Sequence, residues 1–106
     1  MSARSQAPLD GIRVLDFSHM LAAPLATMSL ADLGADVIKV EAPGGDHTRT
    51  VGVGGAMFLA ANRSKRSIVV DLRTEQGLDV VRRLVVRSDV VVDAFRPGVM
   101  ANLGLG

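Results

Sequence analysis

Four short runs of branched apolar residues, separated by stretches with helical spacing, constrain this chain more than any other feature. They are "IRVLDF" (Ile12–Phe17), "DVIKVE" (Asp36–Glu41), "SIVVDL" (Ser67–Leu72) and "DVVVDAF" (Asp89–Phe95). Runs of this kind suit parallel strands covered on both faces by helices. Between the first two, Met20–Leu33 is predicted to be helical. Pro24 fits its first turn, where a missing N–H is no loss, and Gly34 fits the position just past its end, where a left-handed backbone is easy. Between the last two, Thr74 is the predicted N-cap and Glu75 meets the positive helix end. Leu78, Val81, Leu84 and Val85 recur at helical spacing, with Arg82, Arg83 and Arg87 mostly outside that stripe. Ala42–Gly55 reads as a loop, with a short helical stretch around Met57–Ala61 after it. Arg96-Pro97-Gly98 reads as a turn and Val99–Leu103 as the start of another helix. Strands alternating with helices imply crossover connections, hence an α/β fold with a parallel sheet and flanking helices. The expected order across that sheet is third, second, first, fourth strand, by analogy with doubly wound sheets.

The length of 106 residues allows one small domain, and no internal repeat, linker or low-complexity tract divides it. Apolar residues make up 48 % and aromatics only 3 %, so the core must be built mostly of Val, Leu and Ala. A net charge of +1 argues against a general nucleic-acid binder. The absence of cysteine excludes disulfides, thiolate catalysis and cysteine metal sites and fits a cytoplasmic protein. No metal is expected. "MSARSQAPLDG" lacks the apolar core of a signal peptide. The uncharged run from His19 to Ala31 is interrupted by Pro24 and Ser29 and is too short to span a bilayer, so no membrane partner is expected.

The stretch "LADLGADVIKVEAPGGD" (Leu30–Asp46) raises the question of a nicotinamide site, because an acidic residue at a strand end can grip a ribose. A dinucleotide fingerprint, however, places its glycines directly after the first strand. Here that strand is followed by "SHMLAAPLA", and "GVGG" (Gly52–Gly55) follows a loop. No Gly-x4-Gly-Lys-Ser/Thr pattern occurs either. The nicotinamide reading is therefore set aside. Glu41 reads first as a solvated or ion-paired residue, and second as a ligand contact.

Three phrases in order carry a resemblance. They are "PLDGIRVLDFSHMLAAPLATMSLADLGADVIKVEAPGGDHTR", "FLAANRSKRSIVVDL" and "DVVVDAFRPGVMANLGLG". Together the segments resemble the N-terminal part of class III coenzyme A transferases, a family that includes formyl-CoA transferase and α-methylacyl-CoA racemase. The resemblance implies that residues 1–106 are the N-terminal part of a Rossmann-like CoA-binding domain, incomplete relative to the family's full domain. It implies acyl-CoA and carboxylic acids as substrates, coenzyme A as the ligand, and a homodimer in the full-length family. It also implies that Leu21 and Ala22, after the first strand, border the CoA. So do Val70, Asp71, Leu72 and Arg73, after the third, and Ala94, Phe95 and Arg96, after the fourth. Arg73 and Arg96 suit this best, since guanidinium forks bind phosphate oxygens through charge-assisted bonds.

The chain departs from the family pattern in two places. Ala42 and Pro43 follow Glu41 where many relatives carry a basic residue, and Asn102 stands where a basic residue often precedes the last Leu-Gly. Arg63, Lys65 and Arg66 either compensate as a phosphate-binding cluster or lie in a solvated loop. The resemblance implies an aspartate nucleophile located beyond Gly106, and for racemases a His and an Asp that also come later. Asp16, Asp71 and Asp93 are read as caps or ion pairs. His19 and His47 have no partner at recognisable spacing, so no catalytic residue is assigned in this segment. Three functions stay open: a CoA-transferase segment (or a racemase of the same family), a stand-alone CoA or nucleotide binder, and a truncated product.

Overall fold

The computed structural model describes residues 7–18, 22–45, 62, 64–93 and 98–102. Among these, the order of elements is β1 (Arg13–Asp16), α1 (Ala22–Asp32), β2 (Asp36–Glu41), β3 (Arg66–Val69), α2 (Glu75–Val86), β4 (Val90–Val92) and α3 (Val99–Asn102). The strands form one four-stranded sheet in the order β3-β2-β1-β4. Every neighbouring pair is parallel, with Leu15 opposite Ile38 and Val91, and Val40 opposite Ile68. This is the α/β architecture that the alternating pattern predicts, with the strand order expected by analogy with doubly wound sheets.

Side-chain alternation along the strands makes two apolar layers. On one face Leu15, Phe17, Val40 and Val70 pack with Val81 of α2, joined by the half-buried Ile38, Ile68, Leu84 and Met100. On the other, Val14 and Val37 pack with Ala35, and Leu30 and Ala31 of α1 lie against them. The end of α1 and the start of α2 carry the caps that their sequences predict. Past α1, Gly34 has φ +105°. Its N–H reaches the Ala31 carbonyl at 3.0 Å, and the Ala35 N–H reaches Leu30 at 3.1 Å. This is the Schellman pair of bonds, which satisfies carbonyls left over at a helix end. At α2, the Thr74 hydroxyl accepts the Gly77 N–H at 3.0 Å.

The third and fourth strands are shorter than the apolar runs that announce them. After Val69 the Val70 N–H still donates to the Glu41 carbonyl at 2.8 Å, but Asp71 then starts a turn. Its carboxylate accepts the Arg73 N–H at 3.0 Å, and its carbonyl accepts the Thr74 N–H at 3.1 Å. A side chain that bonds its own downstream backbone competes with strand continuation. β4 begins one residue late because Asp89 is spent on β1, with its carboxylate accepting the Arg13 N–H at 2.9 Å. The stretch Met57–Ala61 lies outside the described residues.

Candidate functional site

Ligands of open parallel sheets bind outside the carboxyl ends of the strands. In this protein that edge gathers Phe17 and Ser18 after β1, residues 42–45 after β2, the turn 70–73 after β3, and Asp93 after β4. The α1 face of the sheet changes character towards it. Val14 and Val37 are apolar, but the next inward positions are Asp16 and Lys39, opposite each other in register, and then Glu41, all three buried.

Asp16 is the centre of a buried polar cluster. Its Oδ1 accepts the Ser18 N–H at 2.8 Å and also the Ser18 hydroxyl. Its Oδ2 accepts the Thr27 hydroxyl at 2.7 Å and the Lys65 ammonium at 2.8 Å. These four donors fill the acceptor positions of a carboxylate. Lys65 in turn donates to the Pro24 carbonyl at 3.0 Å and to Asn62 Oδ1 at 2.8 Å. The Lys65 and Asp16 side chains are 1 % and 0 % exposed. Lys39 donates to the Ser18 carbonyl at 2.8 Å. The cluster thus ties β1, the first turn of α1 and the chain entering β3 together. A carboxylate so fully engaged is a structural anchor, in keeping with the ion-pair reading of Asp16.

The turn after β3 is the exposed counterpart. Asp71 Oδ1 accepts Arg73 Nε–H at 3.0 Å and Oδ2 accepts Nη2–H at 3.3 Å. Hydrogen bonds from the Arg73 side chain and backbone hold the Asp71 carboxyl below its ordinary range, and the same side-chain bond raises Arg73. Both groups are in contact with water, with Arg73 86 % exposed. Gly77 makes the close seat of α2 on this turn possible: a Cβ there would lie 2.0 Å from the Asp71 carbonyl oxygen.

Of the residues expected to border a ligand, Val70 is buried and Leu72 packs against the α2-side core, while Asp71 and Arg73 form the exposed pair. Ala22 opens α1. Leu21, Ala94, Phe95 and Arg96 lie outside the described residues, as do His19, His47 and Arg63. The expected basic cluster is divided. Lys65 is buried with Asp16, whereas Arg66 Nη2 reaches Asp36 Oδ2 at 2.6 Å at the opposite, amino-terminal edge, where Arg13 also pairs with Asp36. Neither residue stands at the carboxyl edge as an open phosphate partner. Glu41 is buried and partnered, not solvated. The feature that sequence reasoning missed is the Asp16–Lys65 pair, whose members are 49 residues apart.

Among the described residues no cluster of acidic and histidine side chains is placed to hold a metal, and no helix is long and apolar enough to cross a membrane. Residues 9–106 match CoA-transferase family III. "Probable fatty acyl-CoA transferase Rv3272" of Mycobacterium tuberculosis is 52 % identical over 106 residues, covering 93 % of this chain and 27 % of that protein. Succinyl-CoA:glutarate CoA-transferase of Mus musculus is 45 % identical over 108 residues, covering 96 % and 25 %. A crystal structure of the M. tuberculosis Rv3272 superposes with a TM-score of 0.92 at 54 % identity, covering 95 % of this chain and 29 % of that one. A CAIB/BAIF family protein from Brucella suis gives 0.89 at 50 %, covering 94 % and 29 %. The chain therefore spans about a quarter of the length of these relatives. With the match running from Leu9 to the last residue, and the sheet superposing on solved members, the chain belongs to CoA-transferase family III.

Proposed function

We propose that the chain is part of an enzyme that moves coenzyme A from an acyl-CoA to a carboxylic acid, and that it supplies part of the CoA-binding surface. Family membership across residues 9–106 is the observation that carries this reading. The surface would run along the carboxyl edge of a Rossmann-like unit: Leu21 and Ala22 after β1, Val70, Asp71, Leu72 and Arg73 after β3, and Ala94, Phe95 and Arg96 after β4. Strands lie about 4.8 Å apart, so the ends of β1 and β3, on either side of β2, are separated by roughly 10 Å. An extended ligand with phosphates at one end suits such a span better than a small acid does. Arg73 and Arg96 would take phosphate oxygens. The same proposal places the nucleophilic carboxylate in another part of the enzyme, in keeping with an Asp16 whose acceptor positions are all filled. A cytoplasmic homodimer is part of the same proposal.

Titration calorimetry with CoA tests it. Arg96→Ala is expected to weaken binding by about 1.5–3 kcal/mol, roughly ten- to a hundredfold, the loss of one charge-assisted contact. Equal affinity would remove Arg96 from the site. Residues 1–106 assayed with an acyl-CoA and a panel of carboxylic acids are expected to give no turnover. Turnover abolished by replacing just one of Asp16, Asp71 or Asp93 would place a nucleophile within this segment instead.

A further inference from the structure

We propose that the Asp71 carboxylate, which stands within the proposed binding surface, is a built-in competitor for an anion at Arg73, so that its charge opposes ligand capture there. The choice of CoA as that ligand rests on the proposed function; the competition itself rests on geometry. The Arg73 fork, 86 % exposed at the carboxyl edge, is already matched to a carboxylate through Nε at 3.0 Å and Nη2 at 3.3 Å. This is the two-pronged arrangement with which a guanidinium grips a phosphate. Asp71 thus occupies the position that a ligand oxygen pair would take. The backbone does not need its charge: the turn is closed by the Asp71 carbonyl, which accepts the Thr74 N–H and hydroxyl at 3.1 and 2.9 Å. The carboxylate also accepts the Arg73 N–H at 3.0 Å, a bond that an amide oxygen can keep. The nearest other carboxylate in the sequence, Glu75, faces Arg82 at 3.9 Å. An exposed pair is weakly held, so an incoming phosphate can displace Asp71, yet every such exchange forfeits the internal contact.

The experiment compares wild type, Asp71→Asn, Arg73→Ala and the double variant, titrated at low salt with CoA and separately with inorganic pyrophosphate. Asp71→Asn is expected to bind both probes about three- to tenfold more tightly, and the gain should vanish when Arg73 is also replaced. Equal or weaker pyrophosphate binding by Asp71→Asn overturns the proposal. So does a gain that persists without Arg73, or a failure of both wild type and Asp71→Asn to bind pyrophosphate. A pyrophosphate gain without any CoA binding upholds the competition and instead rejects CoA as the ligand. The wild type offers a check independent of any variant. Its Asp71 carboxyl-carbon resonance should move on saturation with pyrophosphate as the carboxylate loses its partner, and an unmoved resonance would contradict displacement.

Discussion

Lys65 and Asp16 meet beneath α1 with almost no contact with water. Removing one member of such a pair leaves a buried charge behind, at a cost of about 3–5 kcal/mol. Asp16 would keep the Ser18 and Thr27 donors, so Lys65→Met is expected near the lower end of that range. Urea unfolding of the variant reads this directly, and a loss below about 1 kcal/mol would mean that the pair is not holding the cluster. The exposed Asp71–Arg73 pair behaves differently. Because the Asp71 carboxyl is held below its ordinary range in the folded chain, its small contribution to stability is present above the unfolded value of about 3.9. It is lost as pH falls through the lowered folded value. A carboxyl-carbon NMR titration should place the Asp71 midpoint below that of a free aspartate, and Arg73→Ala should bring it back up. An Asp71 midpoint unaffected by Arg73→Ala would contradict the pairing.

At the level of elements, Gly77 decides how α2 sits on the turn before it. Alanine in a helix interior is favoured over glycine by about 1 kcal/mol. Here the added Cβ would meet the Asp71 carbonyl oxygen at 2.0 Å, backbone that no rotamer change can clear. Overpacking of this kind costs about 1–3 kcal/mol, so Gly77→Ala should destabilise on balance. A thermal melt that rises for the variant would show the turn to be free to move. Both helix ends were legible in the sequence because their signals are local: Thr74 before α2 and Gly34 after α1 each act within a turn of their own position. The strand ends were less so. "SIVVDL" looks continuous, but Asp71 bonds Arg73 and turns the chain, an outcome that strand composition alone does not encode. Lys65 and Arg66 show a related blind spot. As neighbours at a strand entrance they point to opposite faces, one inward to Asp16 and the other to Asp36, and a cluster read along the sequence ignores that alternation. The Asp16 partnership itself depends on tertiary structure that brings residues from distant segments together, so no local pattern announces it.

On the scale of the whole molecule, the described sheet has β3 and β4 as its outer strands, and both carry exposed valines. Val69 is 60 % exposed, and Val90 and Val91 also stand open. A groove of about 470 Å³ beside β3, lined by Ile68, Val80, Leu84 and Val86 among others, adds to this apolar surface. Open apolar edge strands invite pairing. Residues 1–106 are therefore expected to elute ahead of a monomer in size-exclusion chromatography at high concentration, with the shift suppressed by Val90→Lys. A monomeric profile at all concentrations would show these edges to be inert. The family resemblance was readable because three phrases occur in order along the chain, whereas the placement of Leu21 and of Ala94, Phe95 and Arg96 lies outside the described residues. Mapping amide NMR shifts on addition of CoA reads out whether this segment presents CoA-binding surface at the carboxyl edge of its sheet. Saturable changes are expected at Ala22 and across 70–73, with little change at Arg13, Asp36 and Arg66 on the opposite edge. Changes confined to that opposite edge, or none at millimolar CoA, would contradict it.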